Sequence, residues 1–323
     1  MKRFLSGIQP SGLPHLGNWF GAMAMHLELA REGEAYWFIA DLHALTTVKD
    51  AAKLREMTRE VAVSYLAMGL DPERTCFWRQ SDVPEVTEVA WLLGTVSGMG
   101  LLERGHSYKD KVAQGLTPSV GLFYYPVLMA ADIICFDADE VPVGKDQIQH
   151  VEFAQDMAGA FDAVYGPTFK RPEWRLSKTP KVSGLDGQKM SKSYGNALWI
   201  FEEGKALTKG IGRLPTDSRA PSEPKDPDGM LIFEWLKLLI PADEYEALAT
   251  RAREGGDKGP GYGELKKRIA CAMDELFGAG REERKKLLAH PEHVERVLAS
   301  GAERARSAAR AVRDRAYKAC GLR

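Results

Sequence analysis

Short apolar runs alternate with longer segments of helical period over the first half of the chain. The runs RFLSGI (3–8), AYWFIA (35–40) and TCFW (75–78) are too short for helices and are bounded by turn residues, the pattern of buried strands. Between and after them, apolar positions recur every three or four residues over 18–31, 51–68 and 84–100, which predicts three helices. A further unit follows: a helical segment ending in LMAADIICF (128–136), the short strand EVPV (140–143) and a helix from Asp146 to about Tyr165. This order predicts an α/β fold with a parallel sheet and right-handed crossovers, which binds ligands at the carboxyl ends of its strands. Beyond Asn196 only helical segments remain, joined by loops such as LPTDSRAPSEPKDPDG (214–229). The expected organisation is an α/β domain over 1–196 and an all-helical domain over 197–323.

The 323 residues are enough for both domains. No apolar run approaches the roughly 18 residues of a membrane span, and the N-terminus lacks the apolar stretch of a secretory signal, so a cytoplasmic protein without a membrane partner is expected. Cys76, Cys135, Cys271 and Cys320 are far apart with no CxxC pair, which reads as buried thiols rather than a metal site. Charge is unevenly spread: residues 281–323 hold twelve Lys or Arg against six Asp or Glu. That bias reads either as a solvated helix face or as a surface for an anionic partner.

Two stretches carry candidate chemistry. GIQPSGLPHLGN (7–18) follows the first strand and leads into the first helix. Its glycines Gly7, Gly12 and Gly17 allow close backbone approach, and a helix start near Asn18 offers free N–H groups to a phosphate. The spacing is neither GxGxxG nor GxxxxGK[ST], and alone the stretch reads equally well as a structural turn. The second, KMSKS (189–193), lies among Gly184, Gly187 and Gly195. Two lysines three residues apart with hydroxyls between them suit a mobile clamp on a triphosphate, supplying charge and donors without a base.

HLGN (15–18) resembles the HIGH signature of class I aminoacyl-tRNA synthetases, and KMSKS matches their second signature letter for letter. GIQPSG (7–12), LMAAD (128–132) and VPVGKDQIQH (141–150) are similar to the tryptophanyl branch of that family. The resemblance covers most of the chain. It implies a Rossmann-like nucleotide domain, a helical C-terminal domain that binds the tRNA anticodon, and a homodimer. It also implies ATP-dependent activation of tryptophan and transfer to tRNA(Trp), with Mg²⁺ accompanying ATP and pyrophosphate.

By the same resemblance, Gln9, Pro10, Ser11, Gly17, Asn18, Gly144, Lys145, Asp146 and Val182 line the ATP site together with Lys189, Met190, Ser191, Lys192 and Ser193. Catalytic roles fall to His15, Lys111, Lys189, Lys192 and Ser193. Read alone, Lys111 is equally a surface lysine and Asp146 equally a helix cap. Asp132 sits in an apolar helix, where its charge needs a partner, either a donor within the protein or a ligand. An acceptor-only carboxylate in an apolar slot suits the indole N–H. Met129, Val141 and Val143 are the expected slot walls, with Gly7, His43, Tyr125 and Gln147 also assigned to the tryptophan site. Met129 stands where tyrosyl relatives tend to carry Gln, and Leu5 departs from an aromatic found in some relatives. A tyrosyl enzyme with the same signatures and an RNA-binding paralogue without catalysis are the other readings.

Overall fold

In the computed structural model, residues 1–104, 119–176 and 182–322 are described, apart from the side chain of Asp146. Five parallel strands form one sheet in the order β3-β2-β1-β4-β5: β1 (Arg3–Ile8), β2 (Glu34–Ile39), β3 (Thr75–Arg79), β4 (Glu140–Val143) and β5 (Glu173–Leu176). The first four match the expected strands to within a residue. The fifth carries little apolar signal, because EWRL is an edge strand, mostly exposed, whose register with β4 is set by backbone pairing.

The helices follow the expected periodicity with local differences. The segment expected over 18–31 starts as one turn at Leu16–Asn18, continues through a π-helical stretch at Trp19–Met23 and becomes regular in α1 (Ala24–Glu32). Helix α2 spans Ala51–Ala67, with Asp50 accepting from the backbone N–H groups of Ala52 and Lys53 at its start. The segment expected over 84–100 breaks after α3 (Glu85–Val96), because Ser97 and Gly98 are extended. Next come α4 (Val120–Ile134), which carries Asp132, and α5 (Ile148–Tyr165), which begins only after a 3₁₀ turn at Lys145–Gln147. After β5 the chain is helical: α6 (Gly204–Gly212), α7 (Leu231–Leu239), α8 (Ala242–Glu254), α9 (Tyr262–Ala289) and α10 (Pro291–Ala319).

The chain forms two compact units that do not follow its linear order. The first comprises Met1–Gly12, Met25–Lys178 and Leu287–Arg323; the second comprises Leu13–Ala24 and Thr179–Lys286. A cut between 196 and 197 therefore differs from the division made by packing. In the first unit, Phe4, Trp37, Phe77, Trp78, Phe136 and Phe161 are fully buried around the sheet. The second has its own core around Phe233, Trp235 and Phe277.

Helix α10 belongs to the sheet unit because its buried face is narrow. Gly301, Ala302, Ala305, Ala309, Val312 and Ala316 are buried along it. A Cβ on Gly301 would lie 1.9 Å from the Phe77 carbonyl oxygen, so only glycine permits this approach to β3. The Cys76 thiol donates to the Gly301 carbonyl at 3.2 Å.

Four arginines of the basic C-terminal segment are engaged within the protein, as a helix face packed on the sheet unit requires. Arg304 donates to the carbonyls of Pro72, Glu73 and Thr75. Arg306 and Arg310 both reach Oε1 of the buried Glu85, at 3.3 and 2.9 Å, and Arg313 pairs with Glu88 and Asp314. Cys76 and Cys135 are buried, Cys320 is half-buried and Cys271 is exposed, contrary to expectation for the last. Among the described residues, no helix is long and apolar enough to cross a membrane.

Candidate active site

The second unit joins the two signature motifs. His15 is the N-cap of the turn Leu16–Asn18: its Nδ1 accepts from the Asn18 N–H at 3.3 Å, while the Asn18 side-chain oxygen accepts from the His15 N–H at 3.1 Å. This is a reciprocal capping box built from His and Asn. It uses Nδ1 as an acceptor, so in neutral His15 the proton sits on Nε2. Burial, aided by the nearby Lys192 charge, lowers the His15 pKa from its usual 6.5 to about 4. At neutral pH the ring is therefore an uncharged donor through Nε2.

Gly17 is required by the same geometry. A Cβ there would fall 2.9 Å from His15 Cε1, 3.0 Å from Nδ1 and 3.5 Å from Met190 Cβ. The Gly17 N–H instead donates to the Met190 sulfur at 3.4 Å, and Met190 is buried. HLGN and KMSKS thus touch directly, through Gly17 and Met190.

KMSKS is held at its start and more open at its centre. Ser183 and Lys189 form an antiparallel bridge, and the Met190 N–H donates to the Val182 carbonyl at 3.0 Å. The buried Asn196, absent from the expected site residues, organises the loop. Its oxygen accepts from the Ser191 N–H at 2.8 Å, and its amide donates to Asp186 at 2.7 Å and to the Lys189 carbonyl at 3.2 Å. Lys189 and Ser193 are exposed, while Ser191 and Lys192 are half-buried. The Lys192 ammonium lies 5.5 Å from the centre of the Trp199 ring. A cleft of about 290 Å³ is lined by Lys192, Trp199, Glu202, Lys209 and Arg213 among others.

The first unit holds the other expected positions. Beyond β1, Gln9 and Ser11 are exposed and Pro10 is buried; a side chain on Gly7 would meet the Phe38 ring, with Cβ 2.7 Å from Cζ. Gly144 and Lys145 are exposed between β4 and the 3₁₀ turn. Lys111 and the Asp146 side chain lie outside what is described.

Asp132 is fully buried in α4, and burial raises its pKa against the opposing effect of its donors. Gln80 Nε2 donates to both carboxylate oxygens at 2.8 Å, and His43 Nε2 donates to Oδ2 at 2.8 Å. The donor within the protein therefore exists, while a carboxylate with about four acceptor positions still has room for a ligand donor. Gln80 was not among the expected residues; its only sequence signal is a polar side chain just past the carboxyl end of a strand. The ring of Tyr125 stands edge-on to His43 at 6.4 Å. Val141 is buried, and Met129 and Val143 are half-buried against the same core. Leu5 lies in that core as well. Gln147 is exposed at the start of α5.

HLGN in contact with KMSKS, in a chain that also forms a five-stranded parallel sheet, marks a nucleotide-activating enzyme of the synthetase type, and known proteins agree. The family model for tRNA synthetases class I (W and Y) matches residues 1–278, and the chain belongs to that family: it is an aminoacyl-tRNA synthetase. It is 49% identical over 99% of its length to the whole of a tryptophan–tRNA ligase from Rhodopirellula baltica. Among solved structures, it resembles the Campylobacter jejuni tryptophanyl-tRNA synthetase complexed with ADP and tryptophan, with 44% identity, TM-score 0.91, and 99% and 100% of the two chains covered. The Mycoplasma pneumoniae tryptophanyl-tRNA synthetase is similar at 29% identity and TM-score 0.81, over 100% of this chain and 98% of that one.

Proposed function

We infer that this synthetase is a tryptophan–tRNA ligase. The observation that supports the chemistry is the direct contact of the two signatures, Gly17 N–H on Met190 Sδ, with the Lys192 charge felt at His15. The full-length likeness to tryptophan–tRNA ligases carries the choice of amino acid.

In the first step the tryptophan carboxylate attacks the α-phosphorus of ATP, forming the mixed anhydride tryptophanyl-AMP as the bond to pyrophosphate breaks. Negative charge grows on the leaving group, so positioning and charge neutralisation do the work and no nucleophilic side chain is needed. His15 donates through Nε2 without adding charge. Lys189 and Lys192 supply point charges, and the Ser191 and Ser193 hydroxyls supply further donors. Gln9, Pro10, Ser11, Gly17, Asn18, Gly144, Lys145, Asp146 and Val182 hold the nucleotide, with Lys111 reaching its phosphates. Mg²⁺ travels with the triphosphate; among the described residues no cluster of His, Cys, Asp or Glu offers it a cage.

Asp132 accepts from the indole N–H within a slot formed by Met129, Val141 and Val143. His43, Gly7, Tyr125 and Gln147 complete the tryptophan site. In the second step a terminal ribose hydroxyl of tRNA(Trp) takes the aminoacyl group and AMP leaves. The working form is a cytoplasmic homodimer, and helices within 197–323 bind the anticodon arm.

The test is amino-acid-dependent ATP–pyrophosphate exchange with each of the twenty amino acids. Tryptophan alone should support it; equal or faster exchange with tyrosine overturns the assignment.

A further inference from the structure

Trp199 lies between the two signature motifs without belonging to either. Its backbone forms an antiparallel bridge with His15, flanked by hydrogen bonds from Leu16 N to Leu198 O at 3.0 Å and from Ile200 N to Pro14 O at 3.2 Å. Side chains of directly paired residues project to the same face, which sets the Trp199 ring beside the His15 ring: their centres are 6.1 Å apart, tilted by 59°. The same indole carries the Lys192 ammonium at 5.5 Å from its centre, within cation–π range.

The neighbours on either side show what this side chain is not for. Leu198 and Ile200 are both fully buried and fill the core, whereas Trp199 is only half-buried. The alternation puts Trp199 on the opposite face from the core, so packing of the unit does not require an indole there.

We propose that Trp199 is a positioning residue for the activation step, one aromatic surface that fixes the Lys192 ammonium and the His15 imidazole relative to each other. The proposal rests on the adenylate-forming reading of the site. The indole touches no reacting atom. It acts by limiting where two groups that neutralise phosphate charge can sit, and such placement is where a displacement of an ångström costs rate.

The experiment compares Trp199→Leu with Trp199→Phe by tryptophan-dependent pyrophosphate exchange, alongside thermal melting of each full-length protein. Trp199→Leu should lose roughly 3–30-fold in kcat, the range of one cation–π contact, with the KM for tryptophan within about twofold and Tm nearly unchanged. Trp199→Phe, which keeps a ring, should recover to within about threefold of the parent. If the Leu variant fails to fold, Trp199→Gln supplies the same comparison at a half-exposed position.

A second measurement separates positioning from general loosening. In single-turnover adenylate formation, adding Trp199→Leu to Lys192→Gln should slow the reaction by no more than about twofold, because the partner cation is already gone. Full additivity of the two losses, equal impairment of the Phe and Leu variants, or normal kcat in the Leu variant overturns the proposal. Absence of tryptophan-dependent exchange in the parent instead overturns the functional reading beneath it.

Discussion

Replacing Gly17 by alanine separates what the HLGN turn does for folding from what it does for chemistry. The added methyl would sit 2.9 and 3.0 Å from two atoms of the His15 ring and 3.5 Å from Met190 Cβ. Ordinary carbon contacts begin near 3.4 Å, so the imidazole must move by about half an ångström or more, since the buried Met190 on the other side leaves little room. Moving a catalytic group by about 1 Å costs up to ~10²-fold in rate, so the expected fall in kcat for pyrophosphate exchange is roughly 10–100-fold.

Stability should behave differently. Alanine is the better helix former by about 1 kcal/mol, which offsets the crowding, and Tm should stay within a few degrees. The KM for tryptophan should change by less than about twofold, because the assigned tryptophan residues belong to the other compact unit. A variant that melts normally and keeps kcat within twofold of the parent would refute both the close contact and the role assigned to His15. A variant that melts well below the parent would show that the turn serves the fold first.

Three further outcomes are expected. Arg306→Ala with Arg310→Ala strips two partners from the buried Glu85 carboxylate and should cost about 2 kcal/mol, less than a fully buried pair because both arginines are partly exposed; a raised KM for tRNA with unchanged Tm would instead restore the anion-surface reading. His26 is buried against Trp37 and Tyr65, with its pKa lowered by desolvation from 6.5 to about 4. The unfolded chain thus takes up the proton first, so stability is complete above pH 6.5 and falls by about 3 kcal/mol as pH drops toward 4. His26→Phe should flatten that fall in urea titrations, and an identical slope would contradict it. Asp132→Ala should lower stability, since Gln80 and His43 lose their acceptor, and should also nearly abolish the preference for tryptophan over its carbon-for-nitrogen indole analogue; preserved discrimination would leave Asp132 as a structural residue only.

The sequence carried the sheet well where side chains decide the structure and poorly where the backbone does. RFLSGI, AYWFIA, TCFW and EVPV announce themselves because both faces of those strands are buried. EWRL does not, since three of its four side chains are exposed and its register comes from the backbone ladder to β4. At the site, HLGN and KMSKS were legible as motifs, but not the reason for their spelling. That Asn18 caps His15, and that Gly17 clears both a ring and a methionine, needs coordinates. Gln80 and Trp199 stayed hidden because each acts on a residue distant in sequence, Asp132 and His15, and Asn196 because its role depends on how the preceding loop folds back onto it. The partners of the α10 arginines were hidden for the complementary reason, as charge counts do not reveal which carbonyls and carboxylates the guanidinium groups already satisfy.

The return of α10 to the sheet unit has a consequence for the order of events at the ribosome. Strand β3 emerges early, yet the helix that packs on it, with Gly301 against the Phe77 carbonyl and Cys76 bonded to Gly301 across 225 residues, is made much later. Through most of synthesis that surface of the nascent sheet has no cover, and Glu85 has neither of its arginines. The second unit, by contrast, needs nothing beyond Lys286 and can close first, although it begins later in the chain. Completion of the sheet's packing is thereby tied to the arrival of α10, so a chain terminated before Pro291 lacks part of that packing even when every residue assigned to ATP and tryptophan has been made.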